Sequence, residues 1–185
     1  MVIKNLTLHN FRNYEEETFV FEPGLNILTG RNAQGKTNCA EAVFYLCTGT
    51  SLRIRHDRQL IRHGETSARI AATASTRFGE VSLAAVICEN KRELYVNGNK
   101  VTRAADFVGN MNSVFFSPGE LRLIQDGPDE RRRFLNLSIS QTSREYCTAL
   151  ARYQRILDQR NNLLKDRDVS LLQETLSGLA EQLAE

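Results

Sequence analysis

The stretch GRNAQGKTN, Gly30 to Asn38, holds the residues whose types and spacing could do chemistry in this 185-residue chain. It fits G-x-x-x-x-G-K-[ST], the pattern of a loop that wraps a nucleotide's phosphates. A phosphate chain carries several negative charges and needs many donors at close range. Gly30 and Gly35 let backbone N–H groups approach with no Cβ in the way. A helix starting after Gly35 adds unpaired N–H groups and the positive end of its dipole. In this reading Lys36 reaches the β- and γ-phosphates and the Thr37 hydroxyl binds Mg²⁺. Arg31, Asn32, Ala33, Gln34 and Asn38 complete the cradle. The bland alternative is a glycine turn with an accidental Lys-Thr pair.

Hydrolysis would require an acid at the end of an apolar strand, to hold the metal and orient water. AAVICE, Ala84 to Glu89, is apolar and ends in Glu. It sits before an Asn-Gly hairpin, so Glu89 reads as a turn residue rather than the end of a central parallel strand. DFVG (106–109) and NKRE (90–93) resemble GTPase motifs but stand in the wrong order. No serine or cysteine has a partner that would make it a nucleophile. Cys39, Cys47, Cys88 and Cys147 form no CxxC pair, and His9, His56 and His63 are scattered. These thiols read as buried or idle in a reducing cytosol.

The loop needs a strand before it and a helix after it. Leu25, Ile27 and Leu28 form a short apolar strand ending at Gly30, and Ala40, Val43, Phe44 and Cys47 fall on one helix face with Gly49 as its stop. Upstream, residues 2–10 and 18–21 read as strands, followed by a Pro23-Gly24 turn. Downstream, 68–75 and 81–88 alternate as antiparallel strands, and LYVNGNKV carries Asn97-Gly98, a two-residue hairpin signal. Residues 112–117 read as another strand, with Ser117-Pro118 starting a helix. Asp126-Gly127-Pro128 opens the basic helix PDERRRFLNL. Thr142 and Glu145 fit a capping box, and Tyr146, Leu150, Tyr153, Leu157 and Leu164 then recur at threes and fours, with Arg160 interrupting. Ser170 and Gln173 fit a second box before Leu172, Leu176, Leu179 and Leu183. This predicts two amphipathic helices packing on the body or on each other, too short for a coiled coil. The chain stops at Glu185 without Gly or Pro, so the natural protein is expected to continue.

Composition is ordinary globular, 41% hydrophobic and 25% charged, with a net charge of +2. No run approaches the ~18 apolar residues of a membrane span. A nucleic-acid partner must therefore be argued from local patches. SLRIRHDRQLIRH holds Arg53, Arg55, Arg58 and Arg62 against one acid, and Lys91, Arg92, Lys100 and Arg103 flank the Asn-Gly hairpin. Such side chains neutralise phosphates without reading sequence. The lack of interleaved aromatics favours duplex or backbone binding over single-strand stacking. Arg131, Arg132 and Arg133 cannot share one helix face, so one or two of them are expected in internal or interdomain salt bridges.

Taken together and in order, LTLHNFRNYEE, GRNAQGKTN, AVFYLCTGTSLRIRHDRQLI, FFSPGEL and GPDERRRFLN resemble the RecF family of bacterial recombination mediators. The likeness runs from Met1 to at least RYQRILDQRNNLLK, Arg152 to Lys165. It implies an α/β P-loop NTPase fold: an ABC-ATPase-like head lobe with a mixed sheet and an antiparallel region over 1–140, then the start of a helical lobe over 141–185. It also implies ATP and Mg²⁺ as cofactors, Arg12 and Asn13 near the nucleotide, DNA binding, ATP-dependent homodimerisation, and work with RecO and RecR to load RecA at gapped DNA in the cytoplasm. Ala33 stands where many related loops have Gly, a difference that is harmless if its φ stays negative. The family's signature motif, Walker B acids and D-loop are absent, which implies ATP binding with little or no hydrolysis. Two other functions stay open: a small P-loop phosphotransferase with 142–185 as its lid, and a non-catalytic interaction module with a vestigial loop.

Overall fold

Alternation in VIKNLTLHNF drives the first strand, β1, Val2–Phe11. Its Leu6, Leu8 and Phe11 side chains are fully buried. Strict alternation would turn Phe11 outward, but Asn10 has φ 49°, and this left-handed residue shifts the phase by one. The structure is a computed structural model and describes residues 1–51, 53–54, 56–116, 127–165 and 173–184.

Arg12-Asn13 is a two-residue turn into β2, Tyr14–Val20, with Phe11 facing Tyr14. This strand begins four residues earlier than the sequence predicts. Its Glu15-Glu16-Glu17 run hides the alternation because β2 is an edge strand, where charges discourage pairing with foreign chains. Strands β3 (Ser67–Thr76), β4 (Gly79–Cys88), β5 (Arg92–Val96) and β6 (Asn99–Val101) follow as a meander. The order across the single sheet is β2-β1-β3-β4-β5-β6, every pairing antiparallel. Asn97 (φ 50°) and Gly98 (φ 78°) form the expected hairpin between β5 and β6.

Helix α1, Lys36–Thr48, lies on this sheet and ends at Gly49 as predicted, whose φ of 68° lets its N–H reach the Tyr45 carbonyl at 2.7 Å. The buried side differs from the predicted stripe. Cys39, Ala42, Tyr45 and Leu46 are buried, whereas Ala40 and Val43 are only half-buried. Phe44 to Thr48 is covered on all sides, so the apolar period is lost there.

Two predicted strands do not form. Residues 25–30 make no ladder, and Leu25 and Ile27 are 86% and 72% exposed. Among the described residues no strand lies beside them, so their apolar character finds no sheet to join. Residues 112–116 likewise run without pairing; Phe115 instead packs its ring against Phe44 at 5.7 Å. The predicted starts at Ser117-Pro118 and Ser170, with Asp126 and Leu172, lie outside the described residues.

Among the described residues the remaining α-helices are α2 (Ala104–Phe107), α3 (Pro128–Thr142), α4 (Arg144–Lys165) and α5 (Gln173–Ala184). Pro128 opens α3 as expected. The break before α4 falls at Ser143, whose Oγ accepts the Tyr146 N–H at 3.1 Å. Thr142, expected as the cap, is the last residue of α3 and donates to the Ile139 carbonyl instead. Along α4 the buried residues are Cys147 and Ile156, while Tyr153 and Leu164 of the predicted stripe are 48% and 42% exposed. Cys147 packs with Ala105 and Val108, and Arg144 pairs with Asp106, so α4 is tied to α2.

Candidate phosphate-binding loop and its supports

Gly30, Ala33 and Gly35 all have positive φ, at 143°, 65° and 101°. These turns wind the chain around the start of α1, where Gly35 occupies the cap position and no side chain caps the helix. The first-turn N–H groups are thus left for a ligand. The Lys36 ammonium folds over the loop and donates to the Gly30 and Arg31 carbonyls at 2.7 and 2.6 Å. Thr37 is exposed beside it, and among the described residues its hydroxyl makes no hydrogen bond. A Mg²⁺ ion accepts oxygen ligands of this kind, so the residues present fit one, with Thr37 as the protein ligand. Ala33 departs from the expectation of negative φ: it is left-handed, a conformation that costs a non-glycine residue roughly 1–2 kcal/mol.

The β1–β2 turn braces the loop from one side. Three successive residues, the turn's Arg12 and Asn13 and the first residue of β2, Tyr14, meet Glu41, Asn38 and the cap Gly35, which stand three apart along one face of α1. Tyr14 packs so closely on Gly35 that a Cβ there would stand 2.6 Å from the Tyr14 Oη. Asn13 Oδ1 accepts from Asn38 Nδ2 at 2.8 Å. Arg12 donates Nε and Nη2 to the Glu41 carboxylate at 3.1 and 2.9 Å, and Nη1 to the Gln59 carbonyl at 3.0 Å. Arg12 and Asn13 are therefore beside the loop helix, held by Glu41 and Asn38, partners the sequence did not reveal.

Glu41 is 2% exposed and collects two more donors, Ser51 Oγ at 2.5 Å and Arg53 Nη1 at 3.2 Å. A buried carboxylate needs such pairing to remain charged. Sequence reasoning missed Glu41, Ser51 and Tyr14. The signal for Glu41 was present: a lone acid inside CAEAVF, one turn beyond the phosphate loop. Burial pushes the Cys39 thiol, on the neighbouring face of α1, up to about 11, so it stays protonated and unreactive.

The proposed DNA contacts scatter. Arg53 faces Glu41 and also donates to Asn38 Oδ1 at 3.1 Å. Arg92 turns inward to the Gly49 carbonyl and to Asp57, which also accepts from the Tyr45 hydroxyl. Arg103 pairs with Asp106, Arg62 with Glu15, and Lys91 and Lys100 with Glu93. Arg55 lies outside the described residues. Arg58 is exposed and, among the described residues, meets no carboxylate. It shares a cleft of about 580 Å³ with His56, Asp57, Glu89, Lys91 and Arg92. Glu89 lies in that cleft, in the β4–β5 turn. Arg133 reaches the Ser51 carbonyl at 2.5 Å, a hydrogen bond rather than the expected salt bridge, while the ion pairs of the triplet, Arg132 with Asp129 and Arg133 with Glu130, stay within α3.

Comparison with known proteins bears on the family and the fold. The AAA domain family AAA_23 matches residues 5–185. The DNA replication and repair protein RecF of Geobacillus thermodenitrificans (strain NG80-2) is 42% identical over 165 residues, 89% of this chain and 44% of that protein. RecF of Staphylococcus haemolyticus (strain JCSC1435) is 39% identical over 187 residues, covering all of this chain and 50% of that protein. A solved structure of the recombination mediator protein RecF-ATP in the RecFOR pathway superposes with a TM-score of 0.84 at 28% identity, covering 99% of this chain and 52% of that one. The chain spans about half the length of the curated relatives it matches.

Proposed function

This chain belongs to the AAA domain family AAA_23 and is RecF-like over that span, and from this premise we propose that it is the ATP-binding region of a DNA replication and repair protein. The observation that carries the reading is the arrangement at Gly30 to Thr37. There an ammonium and an uncapped helix start converge on one loop. With a nucleotide bound, the Lys36 ammonium would exchange its two carbonyl partners for the β- and γ-phosphates, and the N–H groups at the start of α1 would hold the phosphate chain. Thr37 would hold a magnesium ion, which would neutralise phosphate charge. The chain carries no signature motif and no paired acids after an apolar strand, so its role is binding, with hydrolysis slight or absent.

ATP serves as an assembly switch in this reading, with the γ-phosphate supplying contacts that differ between open and closed states. DNA backbone passes the cleft that holds Arg58 and Lys91. The ATP-dependent homodimer and the work with RecR and RecO, which the family resemblance implies, belong to the longer protein.

The test is thermal melting with and without Mg-ATP. At a hundred times its Kd, ATP stabilises by about 2.7 kcal/mol, a rise of roughly 5–10 °C for a chain of this size. Lys36→Ala is expected to remove that rise while leaving the unliganded melting temperature within about 2 °C, since the exposed ammonium contributes little to the fold. An unchanged response in the variant would refute the role given to Lys36, and no response in the natural chain would refute the nucleotide reading.

A further inference from the structure

Two guanidinium groups share one buried carboxylate at Glu41, so the cluster carries one positive charge in excess. The two arginines are held differently. Arg12 is tied by three hydrogen bonds through all three guanidinium nitrogens and is 20% exposed. Arg53 engages through Nη1 alone, shared between Glu41 and Asn38, and is 46% exposed. The surplus charge therefore resides on the arginine that is freer to move.

Its position sets which anion it meets. Asn38 is the third residue of α1, and three residues along a helix span about 4.5 Å. The Arg53 head thus lies within one side-chain swing of the loop mouth, over the first turn of α1. The Ser51 carbonyl accepts from Arg133, the Ser51 hydroxyl donates to Glu41, and the Arg53 N–H donates to Ser51 Oγ at 3.1 Å, so Arg53 is tied at its main chain more than at its guanidinium.

We propose that Arg53 is a positioning and specificity-determining residue for the nucleotide, which swings from Asn38 to the terminal phosphate and so favours a triphosphate over a diphosphate. This rests on the function proposed above and withdraws Arg53 from the DNA-contacting set. Glu41 is not stranded by the move, because Arg12 and Ser51 keep its carboxylate paired.

The experiment is calorimetric titration of the chain with Mg-ATP and Mg-ADP, for the natural sequence, Arg53→Ala and Arg53→Lys. A guanidinium that reaches the terminal phosphate at a solvent-screened loop mouth accounts for about a five- to tenfold affinity difference. Arg53→Ala is expected to weaken ATP binding by that factor and ADP binding by less than twofold, and Arg53→Lys to recover part of the ATP loss. An Arg53 that is only a structural tie would weaken both nucleotides equally or neither, and either result overturns the proposal. A natural chain that binds both nucleotides while Arg53→Ala leaves their ratio unchanged overturns this inference alone. A natural chain that binds neither overturns it together with the nucleotide reading.

Discussion

Replacing Gly35 with alanine tests how the loop is held. Gly35 has φ 101°, outside the range that L side chains adopt readily. A residue forced there costs roughly 1–3 kcal/mol. The new methyl would also stand 2.6 Å from Tyr14 Oη, 2.7 Å from Tyr14 Cζ and 2.9 Å from Asn13 Nδ2. Overpacking of that kind costs typically 1–3 kcal/mol. The sum, about 2–6 kcal/mol, lowers the melting temperature by roughly 5–20 °C at this chain length. The two contributions separate in a double-mutant cycle with Tyr14→Ala, which removes the two shortest contacts and leaves the backbone strain and the Asn13 contact. A coupling of about 1–3 kcal/mol between the two sites is expected from thermal or urea unfolding. Ala33→Gly is the matching control. Relief of left-handed strain, roughly 1–2 kcal/mol, exceeds the entropic cost of glycine, about 0.5–1 kcal/mol, so this variant is slightly more stable. A Gly35→Ala variant that melts within 2 °C of the natural chain, or no coupling to Tyr14, would refute the claim that the turn braces the loop.

Two further outcomes follow from the buried thiols and the cleft. Burial pushes the Cys39 and Cys47 thiols up to about 11, so above pH 9 the unfolded chain gives up protons that the folded chain keeps. Their contribution to stability is full below pH 9 and is lost as pH rises toward 11, on the order of 2 kcal/mol per thiol. Urea midpoints that stay level between pH 8.5 and 10.5, after allowance for other groups, would contradict this. For DNA, Arg58→Ala with Lys91→Ala is expected to reduce the slope of log affinity against log salt by about 0.9 for each DNA phosphate that is no longer neutralised. An unaltered slope would place the backbone path away from this cleft.

The sequence made the meander legible because β3 alternates and the turns are chemically explicit. Asn97-Gly98 permits φ of 50° and 78°, and β5 and β6 pair on either side of it. Gly49 stops α1 for the same kind of reason. Legibility failed where the deciding partner is far away in sequence. The acids of β2 look like a loop until the strand is placed at an edge. The stripe on α1 misleads because Phe44 to Thr48 is covered on every side, by elements no local window contains. The phosphate loop itself was readable, since its pattern is local. Its electrostatic support was not. Arg12, Glu41 and Arg53 are separated by 29 and 12 positions and meet only after the sheet and helix have formed.

The loop's conformation therefore depends on polar contacts more than on burial. Leu25, Ile27 and Leu28, which precede it, are 86%, 72% and 40% exposed. Full burial of such side chains would contribute about 1.5–3 kcal/mol each, and most of that is forgone here. The strand that the sequence expected to anchor the loop thus does little anchoring among the described residues. The anchoring falls to the face of α1 that carries Gly35, Asn38 and Glu41, clamped in order by Tyr14, Asn13 and Arg12. Hydrogen bonds and ion pairs are directional, so they fix the rotation of the helix about its axis as well as its position, which apolar contact alone does poorly. Rotation matters for a phosphate cradle, because it decides where the first-turn N–H groups point. The same clamp explains how Ala33 persists in a left-handed conformation. Residues on both sides of the loop are held, so the chain between Gly30 and Gly35 must close over a fixed span, and one strained alanine costs less than releasing the buried Glu41 from its arginines.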